Sequence, residues 1–249
     1  MVYDALQDPY SDRHMGEITE IWVACHALSR EDQDQYAARS YRLAQAAVAS
    51  GTFTDELTPV TKSSRKGDVT VDQDEEPGRG SVEKLPALRS AFKKEGTITA
   101  GNASTINDGA AFVLACSRQA MDDHNLKPIA RLVASATNSI APDDFAEAPI
   151  GAIQKAVARA GLTLADIDLF EINEAFAVVA EKFIRDLDLD RDKVNVNGGA
   201  MALGHPIGAT GSILIGTMLD ELERRDLQRG LVTMCAGGGM APAIIIERV

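Results

Sequence analysis

The chain has 249 residues, enough for one large domain or two small ones, and its 45% hydrophobic and 25% charged residues are typical of a globular protein. A formal net charge of −12 argues against nonspecific binding to nucleic acid or to anionic membranes. Its three cysteines (Cys25, Cys116 and Cys235) lack metal-ligand spacing, and their odd number argues against a disulfide framework. Because no signal peptide or membrane-spanning apolar run is visible, we expect a cytoplasmic protein with no nucleic-acid or membrane partner.

The first part of the chain predicts two helices followed by a polar stretch. The helices are predicted over 17–28 and 30–50, with Ser29 as the N-cap of the second and Gly51 as its C-terminal stop. The stretch 58–79 is rich in Lys, Asp and Glu, and its few valines predict a short hairpin that pairs 59–61 with 68–71.

From Gly109 onwards strand-like and helix-like segments alternate, which predicts a layered α/β fold with helices on the faces of a mixed sheet. A glycine-rich turn, 237–240, joins the last two strands as a hairpin. The predicted strands are 109–116, 130–137, 168–172, 194–197, 231–235 and 243–248, and the predicted helices are 117–124, 150–160, 174–187 and 208–225.

Three polar residues stand where predicted strands end. Asn173 follows the strand 168–172, Cys235 ends the strand 231–235, and His205 lies in a glycine-rich turn after 194–197. Open α/β sheets gather their sites at the carboxyl ends of strands, so we expect these side chains to meet. Pro206 restricts the backbone beside His205 and would help to hold its imidazole in one orientation.

The sequences around these residues, Asn-Glu-Ala-Phe, Gly-His-Pro-Ile-Gly-Ala-Thr-Gly and Cys-Ala-Gly-Gly-Gly, resemble the C-terminal motifs of the thiolase family. The resemblance implies a thiolase-like layered fold, with a mostly helical loop region that covers coenzyme A over 1–106 and a C-terminal domain over 107–249. It implies a reversible acyl transfer, in which an acyl-CoA and acetyl-CoA give a 3-ketoacyl-CoA and free CoA.

The resemblance also implies roles for four residues. His205 would activate a nucleophilic thiol and donate to the thioester oxygen of acetyl-CoA, and Asn173 would hold a water beside that oxygen. Cys235 would exchange a proton with the α-carbon of the substrate. The backbone N–H of Gly237 would donate to a second oxyanion, since preorganised donors stabilise the charge that develops in such reactions.

Further residues would bind coenzyme A, whose thioesters are the substrates, and no permanently bound cofactor is expected. The stretch 96–109 resembles a family motif in which Ser104 hydrogen-bonds the pantetheine amide and Ile106 packs on it. Arg79, with Lys84 second, is the candidate for the nucleotide end. The other residues implied in binding are Ala103, His14, Met15, Phe92, Ala175 and Phe176.

The family's nucleophilic cysteine stands in a Cys-x-Ser-Gly-like context, and none of the three cysteines has that context. We therefore expect the N-terminal nucleophile domain to be absent, the isolated chain to be inactive, and that domain to come from a partner chain or a missing part of the same gene. We also expect a homo-oligomer. The alternative is a catalytically inactive thiolase-like module that binds acyl-CoA or acts as a scaffold.

Overall fold

The computed structural model describes all 249 residues. Its helices and strands follow one another along the chain as α1 Met15–Cys25, α2 Arg30–Ala49, β1 Val60–Ser64, β2 Gly67–Val71, α3 Glu76–Arg79, α4 Arg118–His124, β3 Ala130–Ser139, α5 Ala148–Ala160, β4 Leu169–Ile172, α6 Ala177–Asp186, α7 Ala200–Leu203, α8 Thr210–Arg224, β5 Arg229–Thr233 and β6 Met240–Arg248.

Side-chain caps set the starts of the first two helices. The Ser29 hydroxyl accepts from the Asp32 N–H, and the Asp32 carboxylate accepts from the Ser29 N–H, so the predicted cap of α2 is confirmed. At α1 the imidazole of His14 accepts from Gly16 N, and the Glu17 carboxylate accepts from the N–H of His14. Helix α1 therefore begins at Met15, two residues before the predicted start.

Four strands form a mixed sheet in the order β3-β6-β5-β4. Strands β4 and β5 are parallel, whereas β6 is antiparallel to both of its neighbours. Successive residues of the strands point to opposite faces of the sheet and pack into two different apolar clusters. One cluster joins Phe170 and Leu231 to α1, α2, α5 and α6, and the other joins Leu169 and Val232 to α8. The predicted fold class, a mixed sheet with helices on its faces, is therefore confirmed.

The predicted strand 109–116 is wrong. This segment is extended but unpaired and exposed, with Phe112 at 89% relative exposure. Its apolar composition favours a strand, but a strand needs a neighbour, and the edge strand β3 pairs with β6 alone. Pairing between distant segments is invisible in local composition, which is why the prediction failed.

The predicted strand 194–197 is reduced to isolated pairings, among them Val194 with Phe170. Asn195 has a positive φ of 44°. Its side-chain Oδ1 accepts from Ile172 N at 2.7 Å, and its Nδ2 donates to Ile172 O at 2.8 Å. The amide side chain thus replaces the backbone ladder, because a residue in the left-handed region cannot continue a strand.

The predicted hairpin in the polar stretch is confirmed as β1 and β2, which pair antiparallel with Val60 opposite Val71. All ten of its residues are exposed. No helix of the chain has both the length and the apolar character needed to cross a membrane.

Candidate active site

The parallel pairing of β4 with β5 brings two of the predicted residues to one edge of the sheet. Ile172 lies opposite Thr233, and the N–H of Asn173 donates to Thr233 O at 3.0 Å. Cys235 follows two residues after Thr233, so both polar side chains leave the sheet at its carboxyl edge. Both residues are buried.

His205 reaches the same edge along the opposite side of β4. After pairing beside Phe170 the chain forms α7 and then turns at Gly204, whose φ is 95°. A Cβ at Gly204 would lie 2.4 Å from Asn107 Oδ1, so both the turn and the close approach require glycine here. The next N–H, that of His205, donates to Thr105 O at 3.1 Å. This backbone bond holds the imidazole beside the 102–107 segment.

The imidazole faces Asn173 on one side and Thr210 on the other. His205 Nε2 lies 3.4 Å from Asn173 Nδ2, and His205 Nδ1 lies 2.7 Å from Thr210 Oγ1. Burial lowers the pKa of His205, because the charged imidazolium loses hydration. The Oδ1 atom of Asn173 is buried without a partner in the chain, so it can accept a hydrogen bond from a bound water.

Cys235 is a buried thiol at the start of a glycine turn. Burial raises the pKa of Cys235 to about 12, which makes the thiol neutral in the resting site. Reciprocal hydrogen bonds between Ala236 and Met240 close the turn. The N–H of Gly237 has no acceptor within the chain, so it can donate to a ligand.

The 102–106 segment forms a second wall of the site. Ala103 pairs with Phe176, and Ser104 N donates to Ala175 O at 3.0 Å. The Ser104 hydroxyl donates to the same carbonyl at 3.2 Å, which leaves its oxygen free to accept from an amide N–H. Ile106 pairs with His205 and is 57% exposed, so it offers apolar surface beside the imidazole.

Aromatic contacts bring the remaining predicted binding residues together. His14 stacks on Phe92 with ring centroids 4.9 Å apart, and Phe92 meets the edge of Phe176 at 6.2 Å. Met15 is buried, and its sulfur lies 3.6 Å from the place where a Cβ at Gly237 would stand. The start of α1 therefore lies against the turn after β5.

Arg79, the predicted contact for the nucleotide end of coenzyme A, stands apart from this convergence, and so do the two cysteines to which the sequence analysis gave no role. Arg79 pairs with Glu75 and Glu76, so two carboxylates already neutralise its charge. Cys25 ends α1 and Cys116 lies in the unpaired 109–116 segment, and both are exposed. Neither thiol is a hydrogen-bond partner of His205.

The sequence reasoning overlooked two residues that hold the site. Thr210, five residues after His205, contacts the imidazole. The sequence signal for this contact was a hydroxyl residue at the start of the helix that follows the Gly-His-Pro turn. Glu174, beside Asn173, is buried and accepts from Tyr36 at 3.0 Å and from Ser40 at 2.7 Å. A glutamate that ends an apolar strand was the signal for an internal polar cluster.

Comparison with known proteins agrees with this geometry. Residues 126–248 match the model of the thiolase C-terminal domain, and residues 1–119 match the model of the thiolase N-terminal domain. An acetyl-CoA acetyltransferase of Paracoccus denitrificans is 46% identical over the whole chain, and the match covers 64% of that protein. The chain thus spans under two thirds of the length of this relative.

Solved structures of thiolase-family enzymes are also similar to this chain. The Bacillus anthracis acetyl-CoA acetyltransferase superposes with a TM-score of 0.94 at 41% identity, covering 98% of this chain and 62% of that one. Human mitochondrial 3-ketoacyl-CoA thiolase superposes with a TM-score of 0.89 at 38% identity, with the same coverage.

These matches correct the expectation that the N-terminal domain is absent. Residues 1–119 match the model of that domain, so this chain itself carries sequence of it. The motif comparison failed here because it took a missing Cys-x-Ser-Gly context as the sign of a missing domain. The comparisons also give no support to an inactive binding or scaffold module. The two family models together match 242 of the 249 residues. The chain therefore belongs to the thiolase family.

Proposed function

We propose that this site catalyses the thiolase-type acyl transfer of acetyl-CoA acetyltransferases, in which an acyl-CoA and acetyl-CoA interconvert with a 3-ketoacyl-CoA and CoA. The observation that carries the proposal is the meeting of Asn173 and His205, at 3.4 Å, on the sheet edge from which Cys235 also leaves. The names of the relatives support the substrate class. Coenzyme A thioesters are substrates here, and the proposal includes no resident cofactor.

The imidazole of His205 serves two successive steps. Its unprotonated Nε2 takes the proton of an acyl-accepting thiol, which neither Cys235 nor the two exposed cysteines supply, and then, as Nε2–H, donates to the thioester oxygen of acetyl-CoA. A water held by Asn173 donates to the same oxygen. Preorganised donors of this kind stabilise the enolate oxygen, because they need no reorientation as its charge develops.

Cys235 moves the proton at the α-carbon. In the cleavage direction the neutral thiol gives its proton to the carbanion of departing acetyl-CoA, and this form is the resting one since the pKa is about 12. In the synthetic direction the thiolate removes a proton from the acetyl methyl. The free N–H of Gly237 then donates to the oxyanion of the acyl group under attack.

Coenzyme A would lie along the wall formed by the 102–106 segment and the aromatic side chains. Ser104 is placed to accept from a pantetheine amide, while Ile106 and Phe92 supply apolar contact. A neutral hydrogen bond contributes about 1 kcal/mol net, so Ser104 sets orientation more than affinity. On family grounds we further propose a homo-oligomer.

The test is deuterium incorporation into acetyl-CoA. The chain is incubated with acetyl-CoA in D₂O, and methyl deuteration is followed by mass spectrometry, with acetyl-CoA binding measured separately by calorimetry. We expect exchange above the protein-free rate, lost in Cys235→Ala and lowered about 100- to 1000-fold in His205→Ala, which removes an oxyanion donor.

Cys25→Ala is the matched control, because it removes an exposed thiol far from the site and should keep full exchange. Absence of acetyl-CoA binding would contradict the substrate class. Binding with exchange that persists in Cys235→Ala would contradict the role of Cys235.

A further inference from the structure

Thr210 is the first residue of α8 and is almost completely buried, at 3% relative exposure. Its Oγ1 lies 2.7 Å from His205 Nδ1 and 3.0 Å from Pro206 O. The hydroxyl thus has two neighbours but only one proton to donate. The burial of Thr210 keeps bulk water away from its hydroxyl.

The direction of both hydrogen bonds follows from the chemistry of the three atoms. The carbonyl of Pro206, which also accepts from the N–H groups of Ala209 and Thr210, can only accept, so both contacts of the hydroxyl are hydrogen bonds only when its proton points to this carbonyl. The Oγ1 lone pair then faces Nδ1, which must carry a proton to complete the second bond. On the other side of the ring, Nε2 faces the Asn173 amide nitrogen, which can only donate. The contacts on both sides of the ring are therefore satisfied by the same tautomer, Nδ1–H.

We propose that Thr210 is a positioning residue that holds neutral His205 in its Nδ1–H tautomer, with the Nε2 lone pair directed into the site. The inference deepens the proposed function and rests on it for its effect on turnover, although the tautomer itself can be tested without substrate. A histidine with its proton on Nε2 could not accept the proton of a thiol there, because the ring has one basic nitrogen at a time.

The surrounding backbone makes the arrangement rigid. His205 N is tied to Thr105 O, and Thr210 N donates to Pro206 O at 2.9 Å. Thr210 is β-branched, so its χ1 has few accessible rotamers. Ring and hydroxyl are therefore each held from two sides.

The experiment reads the tautomer from long-range ¹H–¹⁵N spectra of the imidazole rings in the uniformly ¹⁵N-labelled chain at pH 8. The chain has four histidines, and His205→Gln identifies the signal of His205. We expect a protonated Nδ1 and an unprotonated Nε2. Thr210→Val, which replaces the hydroxyl by a methyl group of similar size, should shift the proton toward Nε2, whereas Thr210→Ser should keep it on Nδ1.

Thr217→Val is the matched control. Thr217 is another buried threonine of α8, but its hydroxyl donates to Glu56 rather than to the imidazole. It should leave the tautomer and the exchange rate of acetyl-CoA unchanged. Thr210→Val should lower exchange about 10- to 100-fold, the range found when the partner that orients a metal-bound histidine is removed. Thr210→Ser should restore most of it.

A wild-type spectrum with the proton on Nε2 would overturn the proposal, and so would an unchanged tautomer in Thr210→Val. If Thr210→Val does not fold, Thr210→Ala gives the same comparison. If the wild-type tautomer is Nδ1–H and responds to Thr210 but acetyl-CoA does not exchange, the proposed function fails while the role of Thr210 stands.

Discussion

At the scale of single residues, burial acts in opposite directions on the pKa values of the proposed acid, Cys235, and the proposed base, His205. It raises the pKa of the Cys235 thiol to about 12 and lowers the pKa of the His205 imidazole, since each change disfavours the charged form. Near neutral pH both groups are therefore uncharged. The resting site holds a proton on sulfur and a lone pair on nitrogen, the arrangement that the proposed cleavage of a 3-ketoacyl thioester would use.

The burial of Cys235 predicts a selective reaction with iodoacetamide. Thiolate is the reactive form, so at pH 7.5 the exposed Cys25 and Cys116 should be alkylated well before Cys235. Below pH 12 the thiolate fraction of Cys235 rises about tenfold with each pH unit, and its labelling rate should rise in parallel. Mass spectrometry of the peptides measures all three.

The control is the chain unfolded in urea, where the three cysteines should react at similar rates. Equal labelling of Cys235 and Cys25 in the folded chain at pH 7.5 would show that the thiol is exposed or ionised.

At the scale of elements, a carboxylate joins the segment after α2 to helix α8. Glu56 accepts from Thr217 at 2.8 Å, and Arg224 donates to Thr52 O at 2.9 Å. Burial raises the pKa of Glu56 to about 7, and the nearby Asp220 and Asp74 add to the rise, while the Thr217 hydrogen bond and Arg224 oppose it. Between pH 4.5 and 7 the folded chain therefore binds more protons at Glu56 than the unfolded chain does.

This difference predicts a pH-dependent effect of Glu56→Gln. Because the folded-state pKa is raised, the contribution of Glu56 to stability is present below pH 4.5 and is lost as the pH rises through 7. Glutamine keeps an acceptor for Thr217 and cannot ionise. The variant should thus gain stability relative to the wild type between pH 5 and pH 8, by on the order of 1 kcal/mol, since partial exposure screens the charge.

Urea unfolding at the two pH values measures the effect. Glu223→Gln, an exposed change on the same helix, is the control and should show no such gain. A stability difference between Glu56→Gln and the wild type that is the same at pH 5 and pH 8 would contradict the assignment.

At the scale of the whole molecule, one buried carboxylate connects the two halves of the chain. Glu174 accepts from Tyr36 and Ser40 on α2, from Asn195 Nδ2 at 2.9 Å and from the N–H of Met201 at 3.3 Å. A single apolar cluster also spans α1, α2 and the sheet. The division at 106/107 stays a prediction, but the two parts share one core.

Glu174→Gln should weaken the whole structure. All four partners donate, so at least one amide hydrogen of glutamine would face another donor, and the charge-assisted bonds would be lost. We expect a loss of about 2–4 kcal/mol in the free energy of unfolding, still in one transition, because the core is shared. Urea unfolding followed by fluorescence and circular dichroism measures both features.

Glu31→Gln, on the exposed side of α2, is the matched control and should change stability little. A Glu174→Gln variant as stable as this control would show that the network contributes nothing to folding. Two separated transitions in the wild type would show that the two parts fold independently.

The sequence by itself determined the features that depend on near neighbours. The cap at Ser29 and the periodicity of α8 involve residues within a few positions, and the hairpin of β1 and β2 closes over a two-residue turn. The motifs around Asn173, His205 and Cys235 follow or end strand-like runs, which predicts that these residues lie at the carboxyl ends of strands. Family resemblance supplied their roles, which remain proposals.

Only the tertiary structure decided which distant segments pair and which side chains meet. The run 109–116 is as apolar as a strand, but it has no neighbour to pair with and stays exposed. The 194–197 run loses its ladder to the side chain of Asn195. The partner of the His205 ring, the hydroxyl of Thr210, depends on the path of the turn between them. Local composition reports propensity, whereas pairing, burial and hydrogen-bond direction are set by atoms that come together only when the whole chain folds.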